Sequence, residues 1–259
     1  MHSAFVNVIL WTGYLFLVGT LFFIIRNRSY GVIRFFTAYV VVFAVRDAAW
    51  FVISNNHAMY FSLWAYYGFW STEFLLSWLR AFAIAEICWR SLRRYTAVWP
   101  LSAALLGVIS ASLLVWSAVS AAANVHFYQR FVDIGLQRIE FMQTAVILAF
   151  MAVLVRYQVP ILPLHRWLLI GLGVYSAVQV FNNELGWLEP QRLLPVFDIV
   201  RRLAMNVSEL IWLYAVAVTA RISSPTEAGP MNGELDALAP GVHDRLRELN
   251  DRLGEILRA

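Results

Sequence analysis

The sequence contains no lysine and a single cysteine, and both scarcities exclude classes of protein. All 20 basic side chains are arginine, so a retinal protein is excluded, because its Schiff base needs a lysine amine. Cys88 alone can form neither an intramolecular disulfide nor a cysteine-based metal cluster. The histidines fall at the terminus, in predicted loops or in the tail, which argues against a haem held between helices: His2, His57, His126, His165 and His243. We expect no cofactor and no metal site.

Charge is also scarce. Charged residues make up 14% of the chain and hydrophobic residues 61%, and apolar runs long enough to cross about 30 Å of hydrocarbon recur along it. The sequence therefore predicts an all-α, polytopic seven-transmembrane helix bundle, integral to the cytoplasmic (inner) membrane. The expected partner is the lipid bilayer, and no nucleic acid is expected. The predicted spans are 4–25, 33–54, 62–90, 98–122, 127–155, 166–188 and 196–220.

Arginines concentrate in alternate connections between these spans. By the positive-inside rule, this pattern predicts an N-terminus outside and a C-terminus inside the cell. The arginines that carry the prediction are Arg26, Arg28, Arg34, Arg90, Arg93, Arg94, Arg156, Arg166 and Arg221.

The composition changes after the last span, which divides the chain into three parts. Residues 1–221 form the predicted bundle, and 222–241 are rich in Pro, Gly and Ser, as is typical of a flexible linker. Residues 242–259 predict a cytoplasmic amphipathic or coiled-coil helix, with apolar residues spaced alternately four and three apart. That helix either docks on its own bundle or the membrane surface, or pairs through 242–258 in a homodimer or with a cytoplasmic partner.

Ionisable residues inside the spans are the main functional signal, because charges in hydrocarbon are costly and rare. Glu73 and Arg80 share one face of span 3, and Arg202 and Glu209 share one face of span 7 in the opposite order. Counted from the ends of their spans, the corresponding depths agree within about 3 Å. We therefore expect two ion pairs, Glu73 with Arg202 and Arg80 with Glu209.

Other spans add polar residues to the same layer. This layer is either an outward-facing ligand pocket or a closed ion-pair network that only fixes helix registry. Glu86 is set apart, because Arg90 follows four residues later and predicts a structural pair. The candidate ligand-binding or ion-pair residues are Arg46, Asp47, Glu73, Arg80, Asp133, Glu140, Asn182, Asn183, Arg202 and Glu209.

Two segments carry a family resemblance: STEFLLSWLRAFAIAEICWR at 71–90 and NVSELIWLYAV at 206–216. Together they resemble a broad group of uncharacterised bacterial seven-helix integral membrane proteins, which implies the fold and no activity. They resemble more weakly the seven-helix input modules of bacterial sensor kinases. A kinase would continue into a long coiled coil with a phospho-acceptor histidine, whereas this chain breaks at Pro225.

Three functions are compatible with these patterns. The first is a receptor-like or sensor protein that binds a small polar or zwitterionic ligand and signals through a partner at its cytoplasmic side. The second is a secondary transporter or proton-coupled channel, and the third is a non-catalytic subunit of a larger membrane complex. An enzyme is not expected, because no metal-ligand cluster or nucleophile motif is present.

Overall fold

The computed structural model describes residues 2–54, 62–92, 98–122, 127–157, 161–188 and 190–219. These residues form seven α-helices and no strand, so the all-α prediction is confirmed and each predicted span falls on one helix. The predicted linker and tail helix, 222–241 and 242–259, lie outside the described residues. The helices are α1 (His2–Arg26), α2 (Arg34–Ser54), α3 (Leu63–Leu92), α4 (Val98–Ala122), α5 (Phe127–Tyr157), α6 (Pro163–Leu188) and α7 (Pro190–Tyr214).

Four helices within the described residues are long and apolar enough to cross a membrane, which supports membrane association. The four segments are Val8–Arg26, Arg34–Ile53, Ile134–Ala152 and Pro163–Asn182. They lie in α1, α2, α5 and α6.

Six helices form a closed ring. Going round it, α1 packs on α2, α2 on α3, α3 on α5, α5 on α6, α6 on α7, and α7 on α1. Helix α4 lies outside this ring and packs mainly on α5. A ring of this kind gives each of the six helices one side that faces the interior.

An aromatic cluster fills one end of the ring interior. Trp212 of α7 is fully buried and meets Phe36 and Tyr39 of α2 edge to face, with ring centroids 5.5 and 5.7 Å apart. Tyr39 in turn stacks on Phe43 at 6.0 Å. Phe36 and Tyr39 lie in the first turns of α2, so the cluster is at the end of the ring where α1 ends and α2 begins. We call this the Arg26 end.

A polar contact joins α1 to the end of α7 at the same place. Helix α7 continues into a π-helical turn, Ala215–Thr219, and such turns disturb the regular backbone hydrogen bonds. The side-chain amide of Asn27 donates a hydrogen bond of 2.6 Å to the carbonyl of Val216. The last turn of α7 is therefore held by the α1–α2 connection.

Glu86 and Arg90 form the predicted structural pair, with Arg90 Nη2 3.1 Å from Glu86 Oε1. The structure adds a second role, because the Glu86 carboxylate also accepts the backbone N–H groups of Arg34 (3.2 Å) and Phe35 (2.9 Å). These are two of the N–H groups that the start of a helix leaves without an internal partner. Glu86 therefore caps α2 from a neighbouring helix.

We expect Glu86→Ala to lower the free energy of unfolding by about 1–2 kcal/mol, the usual loss when a helix cap is removed. Glu86→Gln should recover part of that loss, because its amide oxygen still accepts a hydrogen bond. Thermal unfolding in detergent, followed by circular dichroism, measures both. The matched control is Ser91→Ala, since the Ser91 hydroxyl donates to the Ile87 carbonyl of its own helix. A Glu86→Ala loss no larger than that of Ser91→Ala would contradict the capping role.

Candidate functional site

Arg80 pairs with Glu140 of α5, and the predicted pairing with Glu209 is wrong. Arg80 Nη2 lies 2.5 Å from Glu140 Oε1, and the Ser77 hydroxyl donates a hydrogen bond of 3.1 Å to the same oxygen. Arg80 and Glu140 are 2% and 5% exposed. The pair joins α3 to α5 inside the ring, where neither group is hydrated by bulk water.

Neighbouring polar groups extend this pair into a network that reaches α6. Gln143 donates to the backbone carbonyl of Ser77 at 2.7 Å and accepts from the Ser176 hydroxyl at 3.3 Å. The Arg80 guanidinium lies 4.4 Å from the centre of the Tyr175 ring, a cation–π contact. We call Ser77, Arg80, Glu140 and Gln143 the polar clamp, because they tie α3, α5 and α6 together.

Glu73 pairs with Arg46 of α2, so the predicted pairing with Arg202 is wrong as well. The guanidinium of Arg46 contacts the Glu73 carboxylate, and its Nε lies 2.8 Å from Asp47 Oδ1. Arg46 also packs over the rings of Phe43 and Phe69, at 5.0 and 5.7 Å from their centres. One arginine therefore contacts two carboxylates, one on its own helix and one on α3, and the three groups keep a formal charge of −1.

A cavity of about 200 Å³ lies beside this triad. Its walls come from α1, α2, α3 and α7, with Tyr175 contributed by α6. We call it the polar cavity, because three arginines and three carboxylates line it: Arg46, Arg201, Arg202, Asp47, Glu73 and Glu209. The lining is formally neutral but carries both signs.

Two further polar residues hold the walls of the polar cavity together. The Tyr14 hydroxyl donates to the backbone carbonyl of Asp47 at 3.4 Å, joining α1 to α2. The side-chain amide of Asn206 donates to the carbonyl of Ile9 at 2.8 Å, joining α7 to α1. Glu209, one turn further along α7, is only 3% exposed.

The candidates predicted from the sequence thus separate into two places. Arg46, Asp47, Glu73, Arg202 and Glu209 line the polar cavity, whereas Arg80 and Glu140 belong to the polar clamp. Asn182 is buried in α6, and the side chains of Asp133 and Asn183 lie outside the described residues.

Sequence reasoning missed Gly13, Tyr14 and Arg201 as cavity residues. Gly13 and Tyr14 lie within an apolar run of α1 that contains no charge before Arg26. The pattern of polar and charged residues in the sequence therefore gave no reason to select Gly13 or Tyr14. Arg201 precedes Arg202 directly and could have been found from that adjacency.

The described residues contain no group of three or more histidine, cysteine, aspartate or glutamate side chains placed to hold a metal ion. What the cavity offers is a set of hydrogen-bond donors and acceptors with charges of both signs. Such a lining can bind and orient a small polar molecule. Comparison with known proteins finds no similar one: no family model, no curated protein and no solved structure matches the chain.

Proposed function

We propose that the chain is a seven-span, receptor-like protein of the cytoplasmic membrane that binds a small zwitterionic ligand in the polar cavity. Its N-terminus lies outside the cell, and ligand binding is passed to a partner at the cytoplasmic side. The observation that carries the proposal is the balanced lining of the polar cavity, with three arginines and three carboxylates around about 200 Å³.

The exposed faces of α3 and α7 support the seven-span count. Both helices contain several charges, but Arg80 and Glu209 are buried inside the ring. Over residues 75–89 of α3 and 203–214 of α7 the exposed side chains are apolar, as is expected where a helix meets lipid. Exposed apolar side chains recur at intervals of seven along α3 and of three or four along α7: Leu75, Phe82 and Trp89, then Leu203, Val207, Leu210 and Tyr214.

The arginines of the α1–α2 connection support the orientation. Arg26 and Arg34 lie on either side of the turn at the Arg26 end, and Arg90 is held there too, by its hydrogen bond of 3.0 Å to the Gly31 carbonyl. By the positive-inside rule this end faces the cytoplasm. The N-terminus of α1 then lies on the outer side, as the sequence predicts.

Size and charge balance favour a small zwitterion as the ligand. The volume is below the roughly 300–1,000 Å³ of sites that enclose drug-sized molecules. A ligand with a single charge would leave one sign of the lining without a counterpart. A molecule of a few heavy atoms that carries both charges matches both features.

The aromatic cluster favours a receptor over a channel. Toward the Arg26 end, the buried rings of Phe36, Tyr39 and Trp212 pack on one another. The charge that lies against them, Arg80, is already paired with Glu140. Helix α7 carries both a cavity residue, Glu209, and the π-helical turn that Asn27 holds. A ligand that favours one position of α7 would therefore shift the population of states at the Arg26 end.

The test is ligand-induced thermal stabilisation of the purified chain in detergent. The probes are glycine and β-alanine as zwitterions, acetate as anion, ethylammonium as cation and acetamide as neutral compound. We expect a zwitterion at about 100 times its Kd to raise Tm by about 5 °C, and the singly charged and neutral probes to raise it less.

Arg202→Gln should reduce that stabilisation, because it removes one of the cavity's positive charges. The matched control is Arg138→Gln, since Arg138 packs on Trp116 outside the polar cavity. Full stabilisation in Arg202→Gln, or no stabilisation of the unaltered chain by any probe, would contradict the proposal. Flux of a stabilising zwitterion into liposomes that contain the chain would instead indicate a transporter.

A further inference from the structure

Gly13 allows two oxygen atoms of α7 to approach the α1 backbone closely. A Cβ atom at Gly13 would lie 2.7 Å from Asn206 Oδ1 and 3.0 Å from Glu209 Oε2. Both oxygens are therefore within 3.0 Å of one point beside the α1 backbone. All three residues line the polar cavity, so this point lies at its α1–α7 wall.

Both atoms at this point are hydrogen-bond acceptors. The amide orientation of Asn206 follows from its contact with Ile9, because Nδ2 must donate to that carbonyl and Oδ1 then faces Gly13. Glu209 Oε2 is buried, and no group among the described residues donates a hydrogen bond to it. A buried acceptor without a donor is costly, so the wall requires a donor that the described residues do not supply.

The donor that fits is a cation carrying N–H groups. A carboxylate forms its strongest hydrogen bonds with charged donors, and an ammonium group has three donors for acceptors that converge from different directions. A bare metal ion fits less well, because hard cations take about six oxygen ligands and two converge at Gly13. A trimethylammonium group has no N–H and therefore cannot donate a hydrogen bond to either oxygen.

We infer that the wall formed by Gly13, Asn206 and Glu209 binds the ligand's ammonium group, and that this group is primary or singly substituted. We call this wall the ammonium half-site. The inference rests on the proposed function and defines its ligand class. Glu209 supplies the counter-charge and Asn206 a second acceptor, and Gly13 lets both side chains lie against α1. Arg201 and Arg202 lie two turns away on α7 and offer the opposite charge to the ligand's anionic group.

The first test compares two probes on the unaltered chain by isothermal titration calorimetry in detergent. Glycine and glycine betaine differ only in whether the nitrogen carries hydrogen or methyl groups. Glycine should bind at least about 10-fold more tightly, because each lost charge-assisted hydrogen bond costs about that factor or more. Equal affinity would overturn the inference and leave the proposed function intact, since a zwitterion would still bind.

The second test adds a methyl group at Gly13, in the ammonium half-site. Gly13→Ala should weaken glycine binding about 10-fold or more, because its Cβ would displace the two oxygens, Asn206 Oδ1 and Glu209 Oε2, that accept hydrogen bonds from the ammonium group. Gly19→Ala is the matched control on the same helix, since its Cβ would meet only the flexible end of Leu213 on α7, at 3.1 Å. It should leave the affinity within about threefold, because it touches no ligand-binding group.

Glu209→Gln removes the counter-charge without changing the shape, so it also serves if Gly13→Ala does not fold. We expect it to weaken glycine binding about 10- to 100-fold. Unchanged glycine affinity in Glu209→Gln, with loss in Arg202→Gln, would refute the ammonium half-site but not the cavity's role. A stabilisation by sodium chloride over choline chloride that needs Glu209, without any by glycine, would assign the half-site to a metal ion. No binding of any probe to the unaltered chain would refute the proposed function itself.

Discussion

Arg80→Met will lower the free energy of unfolding by about 3–5 kcal/mol, the loss typical of breaking a buried ion pair. The substitution leaves the Glu140 carboxylate, which is 5% exposed, without its counter-charge. It also removes the cation from above the Tyr175 ring. Thermal or denaturant unfolding of the purified chain in detergent measures the loss.

The partner variant and the double variant test whether the pair itself is responsible. Glu140→Met should cost about as much as Arg80→Met, whereas the double variant should recover most of the loss, because two apolar side chains of similar length replace a neutralised pair. Arg138→Met, also on α5, controls for removing an arginine outside the polar clamp. A double variant as unstable as the two single losses combined would show that the residues act independently.

The two predicted ion pairs, Glu73 with Arg202 and Arg80 with Glu209, do not form, although Arg80 and Glu209 are both buried. The periodicity of span 3 and span 7 placed these residues on one face of each helix. It carried no information on which helices are neighbours. In the structure α3 packs on α2 and α5, while α7 packs on α6 and α1, so Glu73 and Arg80 find their partners on adjacent helices.

Depth along the bundle was also a poor guide to which charges form pairs. Counting residues matched the depth of Glu73 with Arg202 and of Arg80 with Glu209, yet Glu73 pairs with Arg46 and Arg80 pairs with Glu140. An arginine side chain is long enough to reach across about one helical turn of 5.4 Å. Helix bounds, by contrast, could be read from the sequence, because the length of an apolar run and the flanking arginines depend on local residues alone.

The polar clamp and the polar cavity bear on a choice that the sequence left open, between a ligand pocket and a closed ion-pair network. Some of the buried charges pair with one another, and others line the polar cavity. Arg80 and Glu140 neutralise each other and tie helices together, whereas Glu209 reaches the cavity with an oxygen that no described group satisfies. That difference depends on side-chain contacts between helices. Gly13 contributes to the cavity wall only because it has no side chain.

Trp212→Ala will lower the free energy of unfolding by about 2–4 kcal/mol, estimated at about 24 cal/mol for each Å³ of cavity left behind. Trp212 is fully buried, and its ring contacts Phe36 and Tyr39 of α2. Lipid is as apolar as the interior, so the loss comes from packing contacts more than from transfer out of water. Trp212→Phe should cost less, because no described group accepts the indole N–H and the aromatic contacts are partly kept.

Gly171 of α6 provides a double-mutant cycle for the same contact. A Cβ at Gly171 would lie 2.5 Å from Trp212 Nε1 and 2.6 Å from its Cδ1, but 3.2 Å from the Ser208 carbonyl. Gly171→Ala should therefore destabilise the unaltered chain by about 1–3 kcal/mol through overpacking. In the Trp212→Ala background the ring atoms are gone and the same change should cost clearly less, measured by unfolding of all four proteins under one condition. Equal costs in both backgrounds would mean that Trp212 does not set the distance between α6 and α7, and that the close approach at Gly171 is governed by the Ser208 backbone instead.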